Sequence, residues 1–529
     1  MHETAQKIIE LFKKTNSELS TSEILEKIDK RYSEIIRNIE KQPELKREKA
    51  KLHRKILHHL NKLTELNLLT LTKHGEKGEK FFSLNLSDNE EIIEISPNYK
   101  KRIIISKPTN ISLPIEGYEQ RGIVKKYEPA TWIDRLNSVV IFCENIENLK
   151  TLYNNLIENI FSVINDAIDL ENFEYLINKE NPTEFLDNIK KECEDYGKHL
   201  NFTIEISKIK NKENFFSFLE YITKHNQQNF TVIFSCFPEE IDENSKLFIK
   251  IIDAYSKNKR ILYIKNKKLQ KSPAFIGISG PYSFLDKEWQ FIEDLKKDVK
   301  CLACSQSSVI VDVNKFYQSY GLNTEKFSQL IMNISKSIFT ANSIQRRKSG
   351  EYFRTLKILN KSHETDFLSL ARNYIRFWNF GLTQPNIKQD FVFNMISEVK
   401  KKIEKFTSAE ETIYKSCGMA TRFRIALSCA FISEGLSPAK YLHLPIKNLD
   451  DFYRKELKKE LLNREIINEL FDGGNEVTFY YRGIIDPEGI LRQIKTILFN
   501  FKIPLFNYNF KKISGDLKLL SFFKNGNNS

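Results

Sequence analysis

Between Lys51 and Leu66, Leu52, Ile56, Leu57, Leu60, Leu63 and Leu66 recur at roughly three- and four-residue intervals, and Lys51, Arg54, Lys55, His58 and Lys62 recur on the opposite side. This spacing predicts a helix with one face for a core and one cationic face. Leu69, Leu71, Phe81 and Leu84 then mark two short strands, and the tip between them, 73–80, has the glycines and charge of an exposed hairpin loop. Upstream, Ile8, Ile9, Leu11 and Phe12 give an amphipathic helix over 2–14, and Ser20 precedes Glu23 at capping-box spacing, which starts a second helix at Thr21.

From 89 to 136 periodicity is lost, and Pro97, Pro108, Pro114 and Pro129 punctuate short β-branched pieces such as 102–106, as in a connector with a few strands. Between 137 and 321, apolar runs at 139–143, 202–206, 230–234, 261–264, 274–278 and 309–313 alternate with helical patterns at 146–164, 213–224, 244–256 and 287–297. Runs apolar on both faces and separated by crossover helices predict a central, mostly parallel α/β sheet domain, with ligands beyond the carboxyl ends of its strands. From 322 to 471 the stripes turn helical, through Phe327, Leu330, Ile331, Ile334 and Ile338, then 367–377 and 391–403, predicting a mainly helical domain. The last part, 472–529, has strand patterns at 476–481 and 508–523 around a helix from Asp486 to Phe501, a small α+β end.

At 529 residues, 41% hydrophobic and 12% aromatic, the chain has material for several domains with buried cores. Its net charge of +13 favours an acidic partner, with nucleic acid first. No run reaches the roughly 18–20 apolar residues of a membrane span, and the amino terminus lacks a signal-peptide core, so a soluble cytoplasmic protein with no membrane partner is expected. The seven cysteines are scattered and odd in number, which fits reduced, buried thiols.

The stretch HRKILHHLNKLTELNLLTLTKHGEKGEKFFSLN resembles the recognition helix, leucine-rich exit and wing of the winged helix-turn-helix superfamily, in particular MarR- and ArsR-type regulators. The resemblance covers 1–88 and implies that Lys51, Arg54, Lys55 and His58 face DNA while Lys73, His74, Lys77 and Lys80 sit on the wing. A helix about 10–12 Å across fits the major groove, where long basic side chains reach base edges and phosphates together. Any solvated helix also carries charge outward. The segment departs from the family where Arg31 to Lys49 replaces the usual tight turn.

Elsewhere the signals are weaker. Neither GxxxxGK[ST] nor GxGxxG is present, which disfavours an ordinary P-loop or dinucleotide site. Gly277-Ile-Ser-Gly-Pro-Tyr-Ser-Phe284 is the best anion loop and reads more simply as a turn. Asp312 and Asn314, with Glu205, are candidates for a hydrolytic Mg²⁺ site, although single strand carboxylates usually serve structure. Cys301 and Cys304 have zinc-ligand spacing without a second pair, so buried thiols are favoured and no metal or cofactor is expected. Arg346, Arg347, Lys348 and Arg354, and less so Arg372 and Arg376 beside Tyr374 and Trp378, combine cations and rings as a secondary nucleic-acid contact does.

These readings lead to a DNA-binding transcriptional regulator on double-stranded DNA, with no assigned catalytic residue. Its α/β domain senses a small ligand or meets a protein partner, and the chain self-associates. The alternatives are a nucleic-acid-processing enzyme that positions its substrate with the amino-terminal domain, and a protein-assembly scaffold.

Overall fold

A computed structural model describes residues 3–15, 17–65, 68–74, 79–84, 90–95, 102–106, 111–126, 129, 132–224, 229–271, 274–277, 280–283, 300–347, 371–378, 389–416, 423–429, 442–445, 475–481 and 484–512. It divides into two compact units, Met1–Pro108 and Thr109–Ser529. No described helix is long and apolar enough to cross a membrane.

The first unit contains α1 (Glu3–Thr15), β1 (Leu19–Ser20), α2 (Thr21–Ile28), α3 (Lys30–Asn38), α4 (Leu45–Glu65), β2 (Leu69–His74) and β3 (Lys80–Leu84), then a separate pair, β4 (Glu90–Ile95) with β5 (Arg102–Ser106). The capping box forms: Ser20 Oγ accepts from the Glu23 N–H at 3.2 Å, and Glu23 Oε2 accepts from the Ser20 N–H at 2.7 Å. Ile56, Leu60 and Leu63 of α4 enter a core with Ile8, Phe12, Ile24 and Leu25. Strands β1, β3 and β2 pair antiparallel in that order. The expected winged helix is not shown. Residues 31–49, read as an insertion, supply α3 and the start of α4, so the long helix begins at Leu45 and not at Lys51, and the tip of the expected wing, 75–78, lies outside the described residues.

The second unit is organised by one mixed sheet of 12 strands. They are β6 (Val124–Lys126), β7 (Leu136–Phe142), β8 (Ile164–Glu171), β9 (His199–Glu205), β10 (Phe230–Cys236), β11 (Leu262–Asn266), β14 (Cys301–Asp312), β15 (Arg372–Trp378), β16 (Ile425–Cys429), β17 (Leu442–Pro445), β18 (Asn475–Tyr481) and β19 (Leu505–Lys512), with a hairpin of β12 (Ala274–Gly277) and β13 (Gly280–Ser283) between β11 and β14. Strands β7 to β11 run parallel, as do β14 to β16 and β17 to β19. Antiparallel seams join β14 to β7 and β11 to β19.

This corrects the expected separation into a mostly parallel α/β domain, a helical domain and a small α+β end. Strands from 372–378, 425–429, 442–445, 475–481 and 505–512 belong to the same sheet as β7. The helices Thr324–Arg347 and Gln389–Ser416 form where apolar stripes place them, but β15 does not follow the helical reading of 367–377. Its rings and cations alternate with Ile375 and Phe377, and Ala371 to Phe377 are all buried, as in a strand covered on both sides.

The outer face of the sheet is apolar. Leu200, Phe202 and Ile204 of β9 and Ile168 and Leu170 of β8 pack into one core with Leu152, Phe185, Phe218, Phe248 and Ile494 from the surrounding helices. The alternate positions point to the other face, where they are also buried. Ile233 of β10 and Tyr374 of β15 share one apolar cluster there, although β9, β8, β7 and β14 separate their strands in the sheet. The β12–β13 hairpin likewise approaches β8 and β9 on one side and β14 and β16 on the other. Neighbouring strands lie about 4.8 Å apart, so strands this far apart in order meet only if the sheet curls. The hairpin therefore occupies the concave side.

Candidate active site

Period-two alternation places His199, Asn201, Thr203 and Glu205 of β9 on the concave face, beside Asp169 and Glu171 of β8, Ser235 of β10 and Lys265 of β11. All eight are buried, and Asn201, Asp169 and Lys265 have no exposed surface. So many polar groups away from water are costly unless hydrogen bonds or ion pairs satisfy them.

At the centre, Thr203 Oγ1 donates to Asp169 Oδ1 at 2.9 Å, and Lys265 Nζ lies 3.6 Å from Glu171 Oε1. Lys265 and Glu171 stand on strands three places apart, and their side chains meet across the concavity. Asp169 Oδ2 and Glu171 Oε2 are buried with no hydrogen bond to any other group, and the two carboxyls lie within hydrogen-bond reach of each other. Burial first, and then the Glu171 charge, hold the Asp169 carboxyl well above the usual carboxylate range, while Thr203 and Lys265 pull the other way. Two carboxyls this close in low dielectric retain a proton between them, leaving one to give a proton and the other to take one.

At the carboxyl ends of the strands the polar groups are paired. Glu205 Oε2 binds Lys267 Nζ at 2.5 Å and Lys208 Nζ at 2.9 Å. Burial pushes the Glu205 carboxyl up, and those two ammonium groups more than offset it, leaving it below its usual range. Asn172, in the left-handed conformation at φ 57°, turns the chain after β8, and its amide donates to Glu144. Glu174 follows and accepts the Glu205 N–H at 3.1 Å.

Burial pushes the Glu174 carboxyl up to about 8 from an ordinary 4.5. Between those values the folded chain keeps a proton that the unfolded chain releases. Stability from this group is therefore present at pH 4 and lost as pH rises toward 8, at up to about 1.4 kcal/mol per pH unit. Glu174→Gln should become progressively more stable than the wild type over that window, measured as the difference between two denaturant titrations at each pH. Parallel pH profiles would contradict this.

On the opposite arc, burial pushes the Cys304 thiol well up; the Asp169 charge adds to this, and the guanidinium groups of Arg372 and Arg376 pull the other way. Arg376 Nε donates to Ser308 Oγ at 2.9 Å, and its guanidinium lies 4.9 Å from the Tyr374 ring. Arg372 and Arg376 are thus interior groups of a strand, not an exposed contact on a helix.

Of the residues expected at a nucleic-acid surface, Lys51, Arg54, Lys55 and His58 are exposed on α4, and Lys62 is half-buried. Lys73 is exposed, 3.2 Å from Glu18 and 4.6 Å from the Phe81 ring, and Lys80 is half-buried. His74 ends β2, but its side chain and Lys77 lie outside the described residues. Arg346 is buried near the end of the helix Thr324–Arg347, while the Arg347 side chain, Lys348 and Arg354 lie outside the described residues.

The other expected chemistry also moves. Asp312 Oδ1 accepts from the Lys315 N–H at 3.0 Å and so caps a helix, Val313–Tyr320, which takes Asn314 out of any strand. Glu205 is held by two lysines instead of joining Asp312. Gly277 and Gly280 pair across the β12–β13 hairpin, so the glycine loop turns between two strands; 284–290 lie outside the described residues. Cys301 and Cys304 are buried in β14, and among the described residues no three potential ligands are placed to hold a metal.

The carboxyl pair itself was not expected from the sequence. The signal was Ile168-Asp-Leu-Glu171, a clean period-two alternation hidden by reading helix up to Ile164.

No protein-family model matches the sequence, and no curated protein matches it. Among solved structures, the anaerobic ribonucleotide reductase of Thermotoga maritima with citrate in the active site is similar over 74% of this chain and 83% of that one, at 12% identity and a TM-score of 0.44. The same reductase in complex with dATP and CTP is similar over 73% and 77%, at 13% identity and 0.45. A further anaerobic ribonucleotide reductase is similar over 74% of each chain, at 13% identity and 0.45. At this identity and TM-score, what those proteins bind or do is theirs alone.

The similar structures are reductases, where MarR- and ArsR-type regulators were expected. Membership of the winged helix-turn-helix superfamily is corrected accordingly, as is the DNA-binding transcriptional regulator with its two alternatives. Double-stranded DNA as the partner is corrected with them; the ligands named in that reductase complex are dATP and CTP.

Proposed function

We propose that this chain is an enzyme acting on a small polar molecule held on the concave face of its sheet, with Asp169 and Glu171 as the general acid and base. One observation carries the reading: two carboxyls on successive inward positions of β8, both buried and within hydrogen-bond reach of each other, with one oxygen of each bonded to no other protein group. Charge this costly to bury suits proton transfer better than it suits folding. Thr203 orients Asp169, whose carboxyl is held well above the usual range, and Lys265 pairs with Glu171 beside it, so the two carboxyls can protonate one atom of a substrate and deprotonate another. Cys143, Cys193, Cys236, Cys301 and Cys304 are buried free thiols, which suits a cytoplasmic setting.

The test is to incubate the full-length chain with a mixture of small polar metabolites, separate bound from free, identify what is retained by mass spectrometry, and assay the retained compound for conversion. Asp169→Asn should lower conversion by about a hundredfold or more, in the range of general acid–base catalysis, while lowering affinity by less than about tenfold. Failure of the wild type to retain any compound, or undiminished conversion by both Asp169→Asn and Glu171→Gln, overturns the reading.

A further inference from the structure

The concave face carries a second set of buried polar atoms that the acid–base pair does not use. His199 and Asn201 occupy successive inward positions of β9, Asn201 directly opposite Asp169. His199 Nε2 is 2.8 Å from Thr231 Oγ1. His199 Nδ1, and both Oδ1 and Nδ2 of Asn201, are buried with no hydrogen-bonding neighbour but each other.

We propose that His199 and Asn201 form a hydroxyl-binding subsite that recognises a small polyhydroxylated molecule and positions it against Asp169; this rests on the concave face being the active site. In the tautomer that gives Nε2–H to Thr231 Oγ1, Nδ1 presents a lone pair, while the amide offers one acceptor and two donors. A hydroxyl both donates and accepts, so a single one satisfies the imidazole and the amide together. A carboxylate could accept only from the amide and would face the Nδ1 lone pair. The next group of the ligand lies one step along the strand, at Asp169 and Thr203, where the carboxyl pair holds a proton.

Other charges around the imidazole are consistent with a neutral ring. Burial pulls His199 down to about 4, and the Asp166 carboxylate and the Asn201 amide offset only part of that. The neighbouring Lys198 turns away, its Nζ donating to the carbonyls of Ile164 at 2.6 Å and Asn165 at 3.3 Å. An imidazole that stays neutral across the physiological range accepts a hydrogen bond at every pH at which the enzyme works.

The experiment uses the full-length chain and xylitol. In the ¹⁵N-histidine spectrum, His199, assigned by its loss in His199→Gln, should keep an unprotonated Nδ1 from pH 5.5 to 8, and that resonance should move on adding xylitol. Calorimetry should show xylitol affinity weakened about tenfold by Asn201→Ala and by His199→Phe, the scale of one buried hydrogen bond. A His199 that titrates near 6.5, an Nδ1 resonance indifferent to xylitol, or no xylitol binding by the wild type overturns the subsite. Xylitol binding unchanged in both variants also overturns it, while metabolite retention with Asp169-dependent conversion would leave the acid–base pair standing.

Discussion

Lys265→Met should destabilise the second unit by about 3–5 kcal/mol near neutral pH, because it leaves the Glu171 carboxylate buried without its counter-ion. Lys265 is fully buried and Glu171 nearly so, and they meet at 3.6 Å across the concavity, so water cannot replace the lost charge. The loss should shrink at pH 5, where an unpaired buried carboxyl takes up a proton and sheds its charge. Lys265→Met with Glu171→Gln should recover most of the stability, since neither charge then remains. Denaturant titration followed by tryptophan fluorescence measures this unit alone, because Trp132, Trp289 and Trp378 all lie beyond residue 108. A loss below about 1 kcal/mol would show that Glu171 is hydrated in solution.

Phe202→Ala should cost a comparable 3–5 kcal/mol, roughly the value for emptying an aromatic site in a packed core. Its ring centroid lies 4.8 Å from that of Phe173, 5.5 Å from Phe218 and 5.4 Å from Phe230, so truncation removes a partner from three rings at once. On the next strand, Ser235→Ala should change stability by less than about 0.5 kcal/mol, or raise it, since Oγ is buried with no partner to lose. This contrast separates the two faces of one sheet. The convex face holds the fold together, and the concave face carries polar groups that folding alone does not require. Equal losses in the two variants would contradict that division of labour.

That division also explains what could be read from the sequence. Strands such as 139–143 and 230–234 are apolar on both faces and stand out as continuous runs. Strand β8, Ile164-Asn-Asp-Ala-Ile-Asp-Leu-Glu171, is broken by polar residues and alternates acid with aliphatic only over its last four positions; a search for apolar runs passes over it, and with it the two carboxyls of the site. Strand β15 was hidden for the opposite reason, because Tyr374, Phe377 and Trp378 have spacings that a helix stripe also has, and only burial on both sides tells the two apart. Glu205 was legible as a strand-end carboxylate with Lys208 three residues on, but its second partner, Lys267, follows β11, two strands away, and that meeting depends on the order of strands in the sheet. Near the amino terminus, local rules worked at Ser20 and Glu23, whose reciprocal hydrogen bonds need only four consecutive residues. The exposed cations of α4 were equally visible, but exposure and charge do not by themselves choose a partner.

The most direct measurement is of the proton on Asp169 itself. Labelling the chain with aspartate carrying ¹³C at the side-chain carboxyl keeps Glu174, which also holds a proton at neutral pH, out of the spectrum. Infrared absorption of that label at pH 7 should show the band of a protonated carboxyl, absent from Asp169→Asn and shifted when Thr203→Val removes its hydrogen bond. A wild-type spectrum containing ionised aspartate alone at pH 7 would contradict the acid–base pair and the function proposed from it.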